Sequence, residues 1–510
     1  FIMCAVAMNL AVRKSEGLQL LRIRKAGQKI RNVASSIHRP IRNKLWPNTL
    51  SDRTIDAHLP PGPLGCPFVG FDPRQSSPSH GPGLLFDKLS RRLGHPRVFK
   101  FFSKGRAIAV VSGYDNCLAV LSKEFEEVTP QLVPFTSKVV GTSSLRYSCR
   151  SDEHAALRKL VGTGLQPSRV RKYVPALQEM AVRILDSSLE CRTEVEMEGV
   201  CNMFTLDVAC GLIIGLDFED EQMSEVRRQV QRWMSGILSG QSDQWKDARE
   251  YLVEKIEAKL DTLEADGPDD STISAMLFAT NDDGRQLSRE EIIDNTLLLI
   301  LAGSETSSGT LTNCMLLLGL HQDSWRRIVS EQEELEQKYG SNLTREVLDK
   351  SAYLDSVVRE SLRLKPIVGG SMRGIKSTIV VDGKQIPAGW GVAYDRSLTH
   401  LLDPVTRNED DAHMDILRGF RPERWHDNEM RPSKDFIPFG VGPRYCLGAD
   451  LAMVEMKAFI AQMGRKVPEF DLVYPSPSED FRLRQNTFIP VPEEGVVIRP
   501  RRVNLRVKNG

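Results

Sequence analysis

The chain has little that points to a disulfide scaffold or to a structural zinc site. Its nine cysteines are scattered singly among 510 residues, and no Cys-x-x-Cys pair occurs. Either kind of site needs paired or regularly spaced cysteines. The cysteines are therefore expected to be reduced, and most of them, such as Cys201, Cys210 and Cys314, are predicted to be small core residues.

An excess of charge of one sign is also missing. The chain carries 68 lysines and arginines against 67 aspartates and glutamates, so no overall field favours nucleic acid or an acidic partner. Hydrophobic residues make up 41% of the sequence and charged residues 26%, which is ordinary for a globular enzyme with a large core. Composition alone leaves open whether the chain forms one large domain or several smaller ones.

The amino-terminal end lacks a hydrophobic run long enough to cross a bilayer. Its apolar opening is about a dozen residues long, whereas a span needs roughly 20. Residues 13–44 then carry ten lysines or arginines and a single acid, Glu16. We expect residues 1–58 to be a basic arm, which is the remnant of a membrane anchor, a transit peptide or a solvated tail.

A stretch rich in proline and glycine, residues 59–67, separates this arm from the rest of the chain. Because proline fixes φ and lacks an N–H donor, the stretch is predicted to be a stiff spacer. Beyond it, β-rich runs between Arg97 and Val111 predict an early hairpin around Gly105. From about Glu153 to Leu320, apolar residues recur every three or four positions, which predicts a helical middle.

The clearest helix signal is a Ser288-x-x-Glu291 capping box followed by an apolar run to about Leu320. Because the run is apolar all round at Leu297–Leu301, this helix is expected to cross the core. Glu305 and a cluster of hydroxyl groups interrupt it, so a membrane span is not expected.

Two further elements have local signals. A helix is predicted over about Ser351–Leu364, because Lys365-Pro366 ends it. A hairpin is predicted to turn at Asp382-Gly383, a pair that suits a tight two-residue turn. His400 and His413 are predicted to be ordinary loop residues.

The strongest chemical signal is F-G-V-G-P-R-Y-C-L-G, residues 439–448, just before a predicted helix. Cys446 precedes that helix, whose amino-terminal N–H groups and dipole stabilise negative charge on sulfur. Backbone can approach a flat ligand closely at three glycines: Gly440, Gly442 and Gly448. The alternatives are a glycine loop with a buried cysteine and a phosphate loop. A phosphate loop has Lys-Ser/Thr after its last glycine, whereas Ala449-Asp450 follows here.

These residues resemble the haem-binding signature of the cytochrome P450 family, and three further elements match that family in order over about residues 60–499. The resemblance implies a mainly α fold over residues 59–505, with a large helical domain and a small β-rich region. It implies haem b as the cofactor and Cys446 as the axial ligand of its iron. On this pattern Phe439 shields the sulfur, and Arg444 reaches a haem propionate.

The sequence E-S-L-R at residues 360–363 looks like the family's Glu-x-x-Arg helix, and F-R-P-E-R-W at residues 420–425 resembles its Pro-Glu-Arg segment. The resemblance implies that Glu360, Arg363 and Arg424 form a buried salt-bridged triad beneath the cysteine loop. Taken alone, Glu and Arg three apart on a helix are a common surface pair worth a few tenths of a kcal/mol.

In the long helix, A-G-S-E-T-S at residues 302–307 is similar to the family's oxygen-binding segment. Activation of O2 needs protons, which a hydroxyl and an acid connected by water can supply. Thr306 and Glu305 are predicted to be this pair, and Gly303 leaves room beside the iron. Hydroxyls that bond back to carbonyls four residues earlier are an alternative explanation for Ser307 and Ser308.

Haem carries two carboxylates, so cationic partners are expected. His154-x-x-x-Arg158 stands where the family commonly has Trp-x-x-x-Arg. Because a guanidinium pairs with a carboxylate through two hydrogen bonds, Arg158 is predicted to bind a propionate, and His154 is a second candidate. Arg373 resembles the family's further propionate arginine.

The resemblance implies a monooxygenase that inserts one oxygen atom of O2 into a lipophilic small molecule, such as a sterol, retinoid, carotenoid or fatty acid. The substrate pocket above the haem is predicted to have apolar walls, formed by Leu301, Ala302, Ile367, Val368 and Phe488. One rival is an isomerase or dehydratase of the same fold that rearranges a hydroperoxide without a reductant. Another is a non-catalytic haem or lipid carrier, and the Glu305–Thr306 pair weighs against both.

Electrons from NADPH are expected to arrive through a flavin reductase or a ferredoxin on the Cys446 face. Five basic residues are predicted to form the docking patch: Arg418, Arg421, Arg431, Lys434 and Lys457. The sequence after Cys446 looks more like the eukaryotic microsomal and retinoid- or sterol-oxidising branches than the soluble bacterial ones. We therefore expect a monomer that binds no nucleic acid and associates with a membrane, the endoplasmic reticulum being favoured over a plastid.

Overall fold

The computed structural model describes residues 46, 50–64, 86–103, 105–130, 134–190, 193–216, 220–239, 244–409, 412–475, 492 and 495–504. Most of the basic arm and part of the Pro/Gly-rich spacer lie outside these residues. Phe488, one of the predicted pocket residues, lies outside them as well.

Helices dominate the described part of the chain, which confirms the fold class. The α-helices are α1 (Asp87–Arg92), α2 (Tyr114–Leu121), α3 (Pro134–Val140), α4 (Ser151–Val161), α5 (Pro167–Leu189), α6 (Met197–Val208), α7 (Asp220–Ser239), α8 (Gln244–Asp266), α9 (Thr272–Phe278), α10 (Arg289–Leu320), α11 (Gln322–Tyr339), α12 (Arg345–Lys350), α13 (Ala352–Leu364), α14 (Arg396–Leu401), α15 (Pro404–Glu409) and α16 (Ala449–Lys466). Shorter helical turns of the 3-10 or π type cover Gly162–Leu165, Ala209–Ile214, Pro422–Trp425 and Gly442–Arg444.

The strands form a small β region, as expected. They are β1 (Val98–Ser103), β2 (Arg106–Val111), β3 (Val128–Pro130), β4 (Val195–Glu196), β5 (Gly370–Ile375), β6 (Ile379–Val381), β7 (Lys384–Ile386), β8 (Gly391–Asp395), β9 (Glu469–Tyr474) and β10 (Val497–Arg502). One sheet has the order β1-β2-β8-β5-β3, a second has β4-β10-β9, and β6 pairs with β7. Within the described part, β2 and β8 run parallel and the other strand pairs run antiparallel.

Both predicted hairpins are present. β1 and β2 pair on either side of Gly105, with Val98 opposite Val111 and Ser103 opposite Arg106. Asp382 and Gly383 form the turn between β6 and β7, with φ of 50° and 65°. Positive φ at both central residues is what a two-residue turn requires to follow the twist of its strands.

Helix α10 crosses the core, as its apolar run predicted. The hydroxyl of Ser288 accepts a hydrogen bond from the N–H of Glu291 at 3.1 Å, and the Glu291 carboxylate accepts one from the N–H of Ser288 at 2.9 Å. This capping box satisfies donors that a helix leaves open at its start. Every residue from Ser307 to Gly319 is buried. The helix therefore forms a fixed wall against which α6, α13 and α16 pack.

In the described part, one helical segment is long and apolar enough to cross a membrane. It covers Met197–Ile214, with a mean hydropathy of 1.5, and 72% of it is buried inside the protein. Because α6 makes up most of this segment and packs along α10, its apolar surface is explained by the core.

Candidate haem site

A cavity of about 310 Å³ lies between α10 and the segment around Cys446. The α10 side is formed by Leu298, Leu299, Ala302, Gly303, Thr306 and Ser307. The opposite side is formed by Tyr445, Cys446, Leu447, Gly448, Leu451 and Glu455. The cavity therefore has largely apolar walls, with a thiol facing a hydroxyl-bearing helix.

Cys446 is accessible from the cavity, whereas four other cysteines, Cys117, Cys201, Cys210 and Cys314, are buried. Its backbone N–H donates to the carbonyl oxygen of Phe439 at 3.0 Å, which closes the loop before α16. Gly440 and Gly442 make the loop feasible, because their φ values of 82° and 75° are strained for residues with a side chain.

The electrostatics of the Cys446 thiol differ in part from the expectation. Burial raises its pKa, while the N–H of Gly448 and the charges of Arg396 and Arg158 act in the opposite direction. The start of α16 thus favours the thiolate as predicted, but burial outweighs it. A cysteine must lose its proton to bind a metal ion, so binding of iron by Cys446 would release this proton.

The space beside Cys446 suits a flat ligand. A Cβ added at Gly448 would meet no atom within 4 Å, and one added at Gly303 would meet only Ile213, at 3.8 Å. Glycine thus leaves room on both sides of the cavity. One thiol, apolar walls and a rim of cationic residues together match the chemistry of haem, which is an apolar disc with two carboxylates and an iron atom.

Three arginines line the cavity, namely Arg146, Arg158 and Arg444. Arg158 is half-buried and donates from Nη2 to the carbonyl oxygen of Tyr445 at 2.6 Å. Burial lowers its pKa, although the Cys446 charge opposes this. Arg146 is exposed and lines the same cavity; sequence reasoning missed it, because it lies in a polar stretch without a motif. Both side chains are suited to bind a haem carboxylate.

His154 lines the cavity but is not a cation there. Burial and the charges of Arg444 and Arg158 lower its pKa to about 4. Its ring lies 5.1 Å from the ring of Phe125. At neutral pH it can therefore offer a propionate a hydrogen bond but no charge.

Arg444 and Arg373 both contact a carboxylate that the sequence analysis did not consider. Glu124 pairs with the Nε of Arg444, and with the Nε of Arg373 at 3.0 Å. Arg444 also donates to the carbonyl oxygens of residues 145, 146 and 148. Arg444 lines the cavity, whereas Arg373 is not among the described residues that do.

Two other predicted cofactor residues, Phe439 and Gly440, lie at the start of the loop that carries Cys446. The ring centroid of Phe439 is 6.5 Å from that of Tyr445, and Phe439 is half-buried. A Cβ added at Gly440 would lie 3.1 Å from Nη2 of Arg396. Phe439 and Gly440 are not among the cavity-lining residues within the described part of the chain.

Only one member of the predicted proton-delivery pair faces the cavity. Thr306 lines it and donates from Oγ1 to the carbonyl oxygen of Ala302 at 2.6 Å. Glu305 is not among the described lining residues, and burial, together with the nearby charge of Glu198, raises its pKa. The alternative explanation for Ser307 was wrong: Thr306 bonds back to the helix, whereas Ser307 bonds to Glu455.

Glu455 is the carboxyl group that lines the cavity, and sequence reasoning missed it. It lies on the face of α16 that also carries Leu451 and Ala452, and it is 3% exposed. Burial raises its pKa to about 8, although the hydrogen bond from Ser307 opposes this. The signal that was available is its spacing, since residues three and four apart on a helix share a face.

Glu360, Arg363 and Arg424 come together as one buried cluster. Arg363 donates to both carboxylate oxygens of Glu360, at 2.8 and 2.9 Å, and Arg424 donates to Glu360 at 2.9 Å. The indole N–H of Trp425 and the backbone N–H of Arg421 also donate to Glu360, at 3.1 and 3.0 Å. All three side chains of the triad are at most 1% exposed. This is a shared internal cluster and not a surface pair.

Comparison with known proteins agrees with this geometry. The family model for cytochrome P450 matches residues 60–494, most of the chain. The chain belongs to the cytochrome P450 family. It is therefore an oxidoreductase that incorporates oxygen from O2.

Two curated relatives of this P450 are the putative cytochrome P450 120 of Synechocystis sp. and the cytochrome P450 26A1 of Gallus gallus. The first is 28% identical over 81% of this chain and 90% of the relative, and the second is 26% identical over 81% and 85%. The β-amyrin 28-monooxygenase of Saponaria officinalis is 25% identical over 87% and 91%. A solved structure of the retinoic acid-bound cyanobacterial CYP120A1 superposes with a TM-score of 0.71, at 26% identity, over 87% of this chain and 99% of that chain.

Of the four predicted substrate residues that the structure describes, one lines the cavity. Ala302 lines the cavity, whereas Leu301, Ile367 and Val368 are not among the described residues that do. Ile367 is 8% exposed and Val368 is 39% exposed. Their contact with a substrate stays a prediction.

His400 and His413 are not the ordinary loop residues that were expected, since both are 1% exposed. His400 lies in α14, where its ring bridges the carbonyl oxygen of Arg363 at 2.9 Å and the backbone N–H of Ile437 at 3.1 Å. His413 lies 3.4 Å from Nη1 of Arg363 and 3.2 Å from the carbonyl oxygen of Leu401. Both rings therefore belong to the internal polar network around Arg363.

The predicted docking patch needs one correction. Four of its members are exposed: Arg418, Arg421, Arg431 and Lys434. Lys457 is 5% exposed, because α16 turns it inward, where it donates to the carbonyl oxygen of Leu348 and lies 3.3 Å from Asp355. Lys457 therefore cannot form part of an exposed patch.

Proposed function

We propose that this P450, through a catalytic domain over residues 59–505, is a monooxygenase that inserts one atom of O2 into a lipophilic terpenoid-like molecule. The observation that carries the proposal is the cavity in which the Cys446 thiol faces Thr306 between apolar walls. Haem, when bound there, supplies the binding and activation of O2. Sterols, retinoids and carotenoids suit the apolar walls; one relative is named a β-amyrin 28-monooxygenase, and one similar solved structure has retinoic acid bound.

The chain's own part in the reaction is to hold the cofactor and to deliver protons. Cys446 is the residue for the iron, and Arg146, Arg158 and Arg444 are suited to the propionates. The second oxygen atom takes up two electrons from the carrier and two protons from the protein, and it leaves as water. Thr306 is the hydroxyl at the cavity, and Glu455 holds a proton beside it at neutral pH. Glu305 is proposed to supply a new proton after that proton has been used.

Replacement of Thr306 by Ala tests the monooxygenase. We expect Thr306→Ala to release hydrogen peroxide while electrons are still consumed and to form less product, because proton delivery becomes disordered. Ser308→Ala, buried on the same helix, is the control. A carrier would be indifferent to both changes. Turnover of a hydroperoxide without an electron donor would favour the isomerase or dehydratase instead.

The electron donor is proposed to be an acidic flavin protein or ferredoxin fed by NADPH. It docks on the exposed basic residues Arg418, Arg421, Arg431 and Lys434. Charge reversal in Arg431→Glu/Lys434→Glu should raise the apparent KM for the carrier, while charge reversal at the exposed Arg326 of α11 should not. An unchanged KM in the double variant would rule out this docking patch.

Membrane association through residues 1–58 is also proposed, and their deletion should release the protein from membranes.

A further inference from the structure

Glu124 is a buried charge beside the candidate haem site that has no role in the function proposed above. It follows α2 in the chain and is 3% exposed, and its side chain is fully buried. Its two oxygens contact different arginines: one contacts Nε of Arg373 at 3.0 Å and the other contacts Nε of Arg444. The carboxylate thus joins strand β5 to the loop that carries Cys446.

Glu124 occupies the Nε of Arg373, so the two Nη atoms of that guanidinium are left to other partners. Nη1 of Arg373 donates to the hydroxyl of Ser371 at 2.8 Å and to the carbonyl oxygen of Met372 at 3.0 Å. Nη2 of Arg373 makes no hydrogen bond to the described residues. Because a guanidinium carries donors on all three nitrogens, Arg373 keeps donors for a further anion.

The backbone around Glu124 is fixed by its own contacts. Its N–H donates to the carbonyl oxygen of Leu121 at 3.1 Å, and the N–H of Phe125 donates to that of Val128 at 2.9 Å. Phe125 has a φ of 84°, which is unusual for a residue with a side chain. Its ring packs 5.2 Å from the Arg444 guanidinium and 5.1 Å from the ring of His154. The turn therefore places Glu124 next to two residues of the cavity wall.

The charges explain why a carboxylate is needed at this position. Arg373 and Arg444 are buried or nearly so, with 6% and 16% of their side chains exposed. Two guanidinium groups so close together repel each other, and a buried charge without a partner is costly. Glu124 offsets one of the two positive charges and leaves a net charge of one for an incoming anion.

We propose that Glu124 is a positioning residue that holds Arg373 and Arg444 ready for the haem propionates and, through its own negative charge, lowers the reduction potential of the haem. The inference rests on the haem binding of the proposed function. It concerns this carboxylate and makes no use of the oxygen chemistry.

The test compares purified holoproteins carrying Glu124→Gln and Glu127→Gln. Glu127 lies on the same turn, but it is partly exposed and pairs with Lys123 at 2.8 Å, so it is a matched control. The readouts are the midpoint potential of the haem and the rate of haem transfer to apomyoglobin. Removal of a buried negative charge destabilises the ferric state, so E124Q should have a more positive potential. It should also lose haem about tenfold faster, equivalent to ~1.4 kcal/mol.

A loss of overall stability that leaves the surroundings of the haem unchanged would not move the potential, so the two readouts separate positioning from stability. Should E124Q fail to fold, E124Q/R373Q removes one of the two cations together with the carboxylate, so the net charge of the cluster is unchanged. We expect this variant to fold and to lose haem faster than the wild type. Wild-type potential and haem retention in E124Q, or wild-type retention in the double variant, would overturn the inference. A wild type that binds no haem would refute the proposed function as well, whereas these outcomes would refute the inference alone.

Discussion

Ser307 donates a hydrogen bond to Glu455 across the interface between α10 and α16, and both side chains line the cavity beside Cys446. This contact joins the helix that faces Cys446 across the cavity to the helix that follows Cys446 in the chain. Because burial raises the pKa of Glu455 to about 8, its carboxyl group carries a proton at neutral pH. An acid therefore lies next to the hydroxyl groups of α10.

The raised pKa of Glu455 predicts a pH-dependent effect of Glu455→Gln on stability. Between pH 4.5 and about 8 the folded protein keeps a proton that the unfolded chain releases. The stability of the wild type therefore falls as pH rises through this window, by up to about 1.4 kcal/mol per pH unit from this group. Glutamine has no proton to lose, so the variant should gain stability relative to the wild type from pH 5 to pH 8.

Urea unfolding at both pH values, followed by circular dichroism, measures this difference. Glu334→Gln, an exposed glutamate of α11, is the control and should keep the pH dependence of the wild type. Parallel stability profiles for Glu455→Gln and the wild type would contradict a raised pKa.

Buried His400 should make the protein less stable as the pH falls, whereas Glu455 makes it less stable as the pH rises. Burial lowers its pKa to about 4, whereas the ring titrates near 6.5 in the unfolded chain. The unfolded state binds the extra proton first, so stability is lost as pH falls from about 6.5 to 4. In His400→Gln this contribution disappears, and the acid unfolding transition should become less steep. The exposed His426→Gln is the control, and an equal change of steepness in both variants would rule out His400 as the cause.

Of these substitutions, Glu360→Ala is expected to lower the free energy of unfolding most. Its carboxylate accepts hydrogen bonds from Arg363, Arg424 and Trp425. Glu360→Ala removes the carboxylate that pairs with two buried guanidinium groups, and breaking a buried ion pair in this way typically costs about 3–5 kcal/mol. We expect little folded protein or a strongly lowered urea midpoint.

The matched change is Asp323→Ala, which removes the exposed partner of Arg326 on α11. An exposed pair of this kind is worth about 1 kcal/mol or less. Equal urea midpoints for Glu360→Ala and Asp323→Ala would show that the triad adds nothing beyond a surface pair.

The elements that the sequence predicted well are those with local signals. The capping box of Ser288 and Glu291 marks the start of α10, and Asp382-Gly383 marks the turn between β6 and β7. These signals act over two to four residues, so they can be read without knowledge of the fold. The triad around Glu360 followed from the family resemblance, because its residues alone describe an ordinary helix pair.

The features that sequence reasoning missed depend on distant residues. Glu124 and Arg444 are 320 positions apart, and Ser307 and Glu455 are 148 apart. No local pattern specifies such a contact, since the packing of several elements decides it. Lys457 and His400 were misjudged for the same reason: their burial results from neighbours that the fold brings to them.

The carbon-monoxide difference spectrum of the reduced protein tests the central claim, that Cys446 is the ligand of the haem iron. The wild type and Cys149→Ser, a change at a second exposed cysteine, should both show the long-wavelength Soret band of a thiolate-bound haem. Cys446→Ser should lack that band, whether or not haem is retained. Haem with an unaltered thiolate-type Soret band in Cys446→Ser would contradict the account.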